Sequence, residues 1–403
     1  MAVSTGAQGK ERGIPSPLDY LAPLTEEIGP RGSTTDQEAA AADYAWRTLH
    51  GLGLQRVRLE RFLSARSAWR PYAVLSALGA LASGIYPLYG RWTALAATFL
   101  ASLAIVCALA ELNFQDNPVR ALLPKGPSQN VIGVVPSRLV PKRKVVLVAH
   151  LDTHRTPWLF GSRGKVVLFA VMVILGFVGG AINIALFALG AATGWPWIFP
   201  ASLGPAGILL LCCLACLQAD WTPYSVGAND NASGVGVVLH LAHLLKEHPL
   251  LETEVWVLLS GCEEVGCYGM RDFLDRYGDM LRDAYFLNFE GVGVGTLRYA
   301  TREGMTFPYF SDATLLDVAE AVAARHPAWK VEPKALPAGY TETGLVVQRG
   351  LRGITLVCLD EGGFLPYWHQ QRDTLDKLQP EALERAALFA WEMLQELDRL
   401  PAA

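Results

Sequence analysis

The sequence predicts an α/β fold in which a mixed, mostly parallel central sheet is flanked by helices and carries two inserted apolar helical hairpins. Short apolar runs rich in β-forming residues, at 144–149, 254–259 and 285–289, are typical of buried strands. Residues 235–245 instead repeat apolar side chains at helical spacing, after a polar turn that suits a helix start. Four longer apolar runs interrupt this pattern in two pairs.

The beginning of the chain predicts a short polar segment followed by a helix and a strand. Residues 1–17 are polar, lack the apolar core of a signal peptide, and are expected to be flexible. Residues 34–38 resemble a capped helix start, 39–52 are amphipathic, and 53–62 alternate as an exposed edge strand does. We therefore assign 18–62, 120–155 and 222–400 to one α/β domain, in which 309–325 and 380–397 are further predicted helices.

The four apolar runs, 71–88, 92–112, 166–189 and 197–217, are each about long enough to cross a bilayer core of ~30 Å. Buried core helices are the alternative interpretation of such runs. Their arrangement as two hairpins, 69–112 and 165–219, and the tryptophans near their ends favour membrane spans. Gly79, Gly84 and Pro87 make the first run the weakest helix of the four. The sequence thus predicts an integral protein of the inner (cell) membrane with four transmembrane helices.

Basic residues predict the orientation of the α/β domain. Because each hairpin returns the chain to its starting side, the whole domain is expected in one compartment. The basic residues near the spans on that side are Arg61, Arg66, Arg70, Arg120, Lys125, Arg155, Arg163 and Lys165. The two hairpin tips offer only Arg91, so the positive-inside rule predicts a cytoplasmic domain.

Composition narrows the class of ligand. The net charge of −4 is mild, which argues against nucleic-acid binding. Seven cysteines form no framework typical of secreted proteins. Cys262 and Cys267 flank an acidic pair, where a disulfide or metal site is conceivable, but buried packing thiols are the favoured interpretation.

Acidic and imidazole side chains recur where strands end and helices begin. Asp230 lies in a Gly/Asn-rich turn, Glu263 and Glu264 follow one strand, and Glu290 ends another. His150 ends a third strand, with Asp152 two residues later on the same side, and His369 lies in a later loop. Open α/β sheets bind ligands at such positions. A nitrogen and oxygen set suited to zinc or a similar ion follows, comprising His150, Asp230, Glu264, Glu290 and His369.

The chain resembles the co-catalytic zinc aminopeptidases, a family that includes bacterial leucyl aminopeptidase, glutamate carboxypeptidase-like enzymes and glutaminyl cyclases. The resemblance rests on five ordered blocks: His-Leu-Asp at 150–152, Gly-Ala-Asn-Asp-Asn-Ala-Ser-Gly at 227–234, Glu-Glu-Val-Gly at 263–266, the strand-end acid at 290, and His-x-x-x-Asp-Thr-x-Asp-Lys-Leu at 369–378. It implies a zinc exopeptidase fold and two zinc ions per chain.

The resemblance also implies a role for each residue. His150 and Glu290 would hold one zinc ion, Glu264 and His369 the other, and Asp230 would bridge them. Glu263 would be the general base, and Asp152 would orient His150. The family usually has Asp where this chain has Glu290, a difference that affects the expected geometry or occupancy of one metal.

The leading functional prediction is a membrane-bound, metal-dependent exopeptidase of the aminopeptidase type, acting on a peptide or small amide beside a lipid bilayer. A homo-oligomer is left open. The alternatives are a glutaminyl-cyclase-like aminoacyl transferase, an amidohydrolase of a lipid-like amide, and a non-catalytic membrane scaffold. Tyr340, Tyr367 and Trp368 are candidates for substrate contact, or else packing residues. Asp373 is expected to brace His369, whereas His154 lies on the wrong step to be a second ligand.

Overall fold

The computed structural model describes residues 13–88, 90–336 and 339–401. The predicted flexible segment 1–17 therefore lies mostly outside the described residues. Its last residues belong to a helix start, because the Ser16 hydroxyl accepts a hydrogen bond from the Asp19 backbone N–H and caps helix α1 (Pro17–Pro23). The next helix, α2 (Asp36–Gly51), is capped by Thr35 within the predicted start.

A central sheet forms the core of the α/β domain. Its nine strands in the described part of the chain are β1 (Gln55–Ala65), β2 (Lys125–Val135), β3 (Arg143–His150), β4 (Thr253–Ser260), β5 (Tyr285–Glu290), β6 (Thr296–Glu303), β7 (Tyr309–Phe310), β8 (Glu332–Leu336) and β9 (Arg352–Leu359). The order is β1-β2-β4-β3-β5-β9-β6-β7, and β8 pairs with β6. The predicted mixed sheet is present, with the predicted edge strand β1 at one side.

Strand direction differs between the middle and the margins of the sheet. The four central strands β4, β3, β5 and β9 run parallel to one another. The margins are antiparallel where β1 pairs with β2, β2 with β4, β6 with β9 and β6 with β7. At the margin, β8 also pairs in parallel with β6, so the sheet as a whole is mixed and its centre is parallel. Parallel neighbours need crossover connections, whereas the antiparallel pair β6–β7 is joined by a short loop.

Helices cover both faces of the sheet because side chains alternate along each strand. Val145 and Leu147 of β3 pack in one core cluster with α1, α2, α8 (Ser233–Glu247), α10 (Ala313–Arg325) and α12 (Pro380–Arg399). Val146 and Val148 point to the opposite face, against α9 (Tyr268–Tyr277) and α11 (Glu342–Gln348). This two-sided burial explains the continuous apolar runs of the central strands.

The predicted helix at 309–325 is wrong in its first residues. Tyr309 and Phe310 form the short strand β7, and the helix begins at Ala313 after Asp312, whose side chain accepts a hydrogen bond from the Leu315 N–H. A capping aspartate stops the helix from extending further towards the N-terminus.

The apolar runs form a bundle of four helices, α3 (Trp69–Ile85), α4 (Arg91–Leu112), α6 (Arg163–Thr193) and α7 (Ile198–Asp220). The short helix α5 (Pro118–Leu122) follows α4. Within the described residues, α4, α6 and α7 are long and apolar enough to cross a membrane. Helix α3 has 17 residues and lies at the lower limit for a span. Three candidate spans are thus present, and four spans in two membrane hairpins remain a prediction.

Two polar joints lie at one end of this bundle: the first links two bundle helices, and the second links the bundle to a loop of the α/β domain. At the end of α7, Asp220 accepts hydrogen bonds from Ser67 Oγ (2.5 Å) and Arg70 Nε (2.8 Å) at the start of α3. At the end of α4, Glu111 pairs with Arg120, whose guanidinium also donates to the Val265 carbonyl at 3.0 Å. The second joint ties the bundle to the loop that carries Glu263 and Glu264.

Candidate metal centre

The seven predicted site residues lie along the carboxyl edge of the parallel strands. His150 ends β3, Glu290 ends β5, and Glu263 and Glu264 follow β4. The loop after β9 carries His369, and Asp230 lies just before α8. Parallel strands bring their carboxyl ends to one edge, so residues far apart in sequence meet there.

The five predicted ligands form two groups that share Asp230. In one group, His150 Nε2 lies 3.4 Å from Asp230 Oδ1 and 3.5 Å from Glu290 Oε1. In the other, His369 Nε2 lies 3.4 Å from Asp230 Oδ2 and 3.2 Å from Glu264 Oε2. The two oxygens of one carboxylate thus face two different histidines. The longer side chain of Glu290 still places an oxygen within this cluster.

Asp152 holds both a histidine and the acidic loop. Its backbone carbonyl lies 3.0 Å from His150 Nδ1, and its Oδ1 lies 3.5 Å from the same nitrogen. The carboxylate also accepts the backbone N–H groups of Glu263 (3.0 Å) and Glu264 (3.2 Å) and the Ser33 hydroxyl (2.6 Å). Contacts at Nδ1 leave His150 Nε2 directed at the acids, as a metal-binding imidazole requires.

Arg31 and Asp373 hold the loop that contains Asp230 through hydrogen bonds to its backbone. Arg31 is fully buried and donates to five backbone carbonyls, among them those of Leu151 and Gly227. Asp373 accepts the backbone N–H groups of Asn229 (2.7 Å) and Asp230 (3.0 Å). The expectation that Asp373 braces His369 is therefore wrong. Its carboxylate instead holds the loop that carries Asp230, through these two hydrogen bonds.

The loop after β4 is supported by a second buried acid, Glu38. Glu38 Oε1 accepts the Cys262 N–H at 2.9 Å and lies 3.3 Å from its Sγ, while Oε2 accepts the Thr34 N–H. Cys267 Sγ lies 3.6 Å from Glu263 Oε1. Both thiols are buried and free, as the packing interpretation predicted, but each also contacts a carboxylate.

The electrostatics of the cluster fit a bound cation. Burial and then the neighbouring Asp230 raise the pKa of Glu264 well above its usual range, and burial raises the pKa of Glu290 to about 8. Glu264 Oε1, Glu290 Oε2 and His369 Nδ1 are buried without a hydrogen-bond partner in the described structure. A divalent ion offsets repulsion between acids and accepts their lone pairs. Two imidazoles with three carboxylates are donors that zinc accepts.

Two further buried residues lie at the cluster. The expectation that His154 lies on the wrong step for a ligand is not met, because one of its ring nitrogens lies within 4.8 Å of ligand atoms of Glu264 and His369, and Glu342 carried no sequence assignment. His154 stacks on His369 with ring centroids 3.6 Å apart, and Glu342 accepts a hydrogen bond from Ser260 Oγ. His154 Nδ1 lies 2.7 Å from the Arg155 carbonyl and must donate to it, which leaves Nε2 unprotonated. Burial lowers the pKa of His154 to about 4 and raises that of Glu342.

The sequence offered little indication that His154 and Glu342 would lie at the site, for a different reason in each case. The chain turns sharply after β3, where Thr153 pairs with Gly32 and Arg155 with Tyr224, and this returns His154 to the site. Strand alternation could not predict that path. Glu342 begins α11 in a polar stretch that carries no motif.

A cavity of about 850 Å³ opens from the cluster and is lined by Asp230, Glu263, Glu264, Glu290 and His369. Of the aromatic candidates, Tyr340 and Trp368 line it, and Trp368 also packs against Phe160 and His369. Tyr367 contacts Arg372 instead. Helices α3, α4, α6 and α7 contribute a large part of the remaining wall, and residues of β6, β8, β9 and the loop after β9 contribute the rest of its sheet side.

Comparison with known proteins places this geometry in a family context. The model of peptidase family M28 matches residues 217–394. The aminopeptidase YwaD of Bacillus subtilis is 36% identical over 77 residues, covering 19% of this chain and 17% of that protein. The chain spans well under half the length of the curated relatives that it matches.

Solved structures share the fold at low sequence identity. BSAP, a zinc aminopeptidase from Bacillus subtilis, has a TM-score of 0.57 at 16% identity, covering 97% of this chain and 98% of that one. The glutaminyl cyclase of an Acidobacteriales bacterium has a TM-score of 0.57 at 14% identity and 99% coverage of both chains. The predicted resemblance is therefore confirmed at this level: residues 217–394 match the model of peptidase family M28, and the chain shares the fold of zinc aminopeptidases such as BSAP.

Proposed function

We propose that the chain is a membrane-bound zinc exopeptidase that removes amino-terminal residues from peptides or small amides. The observation that carries this proposal is the position of Asp230, whose two carboxylate oxygens face His150 and His369 from within 3.4 Å. A carboxylate shared in this way suits a pair of cations. YwaD and BSAP, both described as aminopeptidases, support the exopeptidase assignment.

Under this proposal the chain's residues hold two zinc ions. His150 and Glu290 would hold one, His369 and Glu264 would hold the other, and Asp230 would be shared between them. Bound zinc supplies Lewis acidity, which lowers the pKa of water and polarises an amide carbonyl. Asp152 keeps His150 Nε2 free for the metal through its contacts at Nδ1.

Glu263 acts as the general base in the proposed reaction. Its carboxylate lines the cavity within 4.8 Å of a His150 ring nitrogen, and the hydrogen bond from its backbone N–H to Asp152 fixes its position. Its carboxylate takes a proton from water as the water oxygen bonds to the amide carbon. The same proton then passes to the leaving nitrogen as the C–N bond breaks, so base and acid are one group.

The proposed domain division and topology rest on the helix bundle. The α/β domain comprises 18–62, 120–155 and 222–400, and the hairpins are 69–112 and 165–219. With four spans, all parts of the domain lie on one side of the membrane, and the basic residues near the spans favour the cytoplasm as that side. Both polar joints lie at the same end of the bundle, beside the sheet. Protease treatment of sealed inside-out vesicles should cleave the domain, and protection from cleavage there would contradict the topology.

The test of function combines metal analysis with turnover of a panel of aminoacyl amides by detergent-purified protein. Glu263→Gln should lower kcat by about 10²–10⁴-fold without changing zinc content. Glu361→Gln, at an exposed acid in the loop after β9, is the matched control and should behave as wild type. A glutaminyl amide in the panel separates hydrolysis from cyclisation. Undiminished turnover in Glu263→Gln would refute the proposed base.

A further inference from the structure

The cavity beside the candidate metal centre extends away from the sheet into the helix bundle. Its walls include Leu75 of α3, Ala108 of α4, Val173 of α6 and Leu209 of α7, all in one continuous space with Glu263. Every helix of the bundle therefore faces the same cavity as the acids and histidines. A substrate at the centre can place part of its length between the helices.

The bundle side of this cavity offers very few hydrogen-bonding groups. The side-chain hydroxyls that α3, α4, α6 and α7 contribute are those of Tyr72 and Ser76. A peptide segment there would bury backbone N–H and C=O groups without hydrogen-bond partners, which is unfavourable for each unpaired group. A hydrocarbon chain has no such groups, so it fits the lining better than a peptide does.

The dimensions of the cavity suit a long chain. On α4, the lining residues run from Leu112, near the sheet, to Ala101. At a rise of 1.5 Å per residue that interval is about 16 Å, close to half of a ~30 Å bilayer core. Beyond Ala101 the bundle is closed by a cluster that includes Tyr86 stacked on Phe187, with centroids 5.3 Å apart. The chain that fits is therefore long but limited in length.

Among the described residues, the charged side chains that line the cavity all lie at its end beside the sheet. Trp69 lines that end, contacts the His154 ring at a centroid distance of 5.6 Å, and has an indole N–H without a hydrogen-bond partner in the described structure. A buried indole N–H normally finds an acceptor. An acceptor on the polar part of a substrate would satisfy it next to the metal centre.

We propose that the natural substrate is an amphiphilic amide, in which an amino acid is joined through an amide bond to a long hydrocarbon chain that lies between α3, α4, α6 and α7. This inference rests on the proposed hydrolase function and specifies its substrate class. Water adds its oxygen to the amide carbon, the C–N bond breaks, and Glu263 returns the proton to the nitrogen. The products are a carboxylic acid and an amine, one of which carries the chain.

The test uses purified, zinc-loaded full-length protein and two series of monomeric substrates below their critical micelle concentrations. Leucyl alkylamides place the chain on the nitrogen, and N-acyl leucines place it on the carbonyl. In at least one series kcat/KM should rise about two- to four-fold per methylene, from ~0.8 kcal/mol per buried CH₂, until the chain fills the cavity. Equal kcat/KM at all lengths in both series would overturn the proposal.

Variants separate the cavity from the metal centre. Val173→Trp fills the cavity, whereas Ile174→Trp, at a neighbour that is 61% exposed on the outer face of the same helix, does not. Val173→Trp should abolish the gain with chain length and leave turnover of short amides within about twofold of wild type. Ala108→Phe, with Val106→Phe as its exposed control, repeats the comparison on α4 should the first variant fold poorly. An unchanged length dependence in both cavity variants would overturn the proposal.

Two more outcomes keep this inference distinct from the proposed function. If no amide of any length is hydrolysed, the hydrolase assignment fails, and binding of dodecylamine and of lauric acid then tests the cavity alone. If dodecylamine or lauric acid binds, and Val173→Trp weakens that binding at least tenfold, the hydrocarbon site is supported. If neither compound binds, the hydrocarbon site is overturned. A leucyl peptide of equal apolar area that gains as much as the alkylamide would also overturn the choice of a hydrocarbon chain.

Discussion

The two walls of the cavity differ in how tightly their side chains are held. At the sheet edge, the acids that support the site have defined partners: Asp152 accepts three hydrogen bonds, and Asp373 accepts two successive backbone N–H groups. In the bundle, residues such as Val173 and Leu209 line the cavity with apolar side chains, which form no hydrogen bonds. Directional contacts position reacting groups, whereas apolar contacts select by shape and length. Under the proposed function, the sheet wall would determine the chemistry, and the bundle wall would select the molecules that reach it.

The largest effect is expected where both metal groups depend on one side chain. Asp230→Ala removes the carboxylate shared by His150 and His369, so zinc content should fall at both positions and turnover should be lost. The loss should exceed the ~10–100-fold typical of residues that only support a ligand. Equilibrium dialysis against zinc, together with turnover of a short amide, measures both. Asp376→Ala, at an exposed acid that follows His369 in the chain, is the control and should retain metal.

An intermediate effect is expected for a residue that supports ligands without being one. Asp152→Asn weakens the hold on His150 and on the Glu263–Glu264 backbone, and should lower zinc affinity about 10–100-fold. A competition titration with a zinc chelator measures the change, and excess zinc should restore much of the activity. Wild-type zinc affinity in this variant would show that the ligands stay in position without Asp152. It would contradict the claim that the hydrogen bonds at the sheet edge position the reacting groups.

The smallest effect on zinc binding and turnover is expected at the Glu111–Arg120 pair, which links the helix bundle to the α/β domain. Glu111→Gln breaks the buried pair with Arg120 and should lower the free energy of unfolding by about 3–5 kcal/mol. Because Arg120 still donates to the Val265 carbonyl, zinc affinity should change little. Thermal unfolding of zinc-loaded protein, compared with chelator titration, separates the two quantities. A collapse of zinc affinity with unchanged thermal stability would mean that the bundle positions the metal centre directly.

The sequence predicted the sheet wall well, because strand-end residues obey simple rules. His150, Glu263 and Glu290 each follow an apolar run, and parallel strands bring such ends together. What it missed depends on the path of the chain between elements. His154 returns to the site through a turn, Asp373 reaches the Asp230 loop instead of His369, and the outer strands reverse direction.

The bundle wall could not have been derived from sequence in the same way. The apolar runs predicted helices, and their lengths predicted spans, but a cavity depends on which helix faces pack against each other. Residues 173 and 174 are both β-branched and apolar, yet only Val173 lines the cavity, while Ile174 faces outwards. Helical periodicity is uninformative where every position is apolar.

The most direct test of the account is the number and position of zinc ions bound to the purified protein. Anomalous diffraction at the zinc edge, supported by elemental analysis, should show two ions per chain. One should contact His150 and Glu290, the other His369 and Glu264, with Asp230 between them. A single ion, or ions bound elsewhere with these five side chains unliganded, would contradict the claim that one shared carboxylate organises the centre.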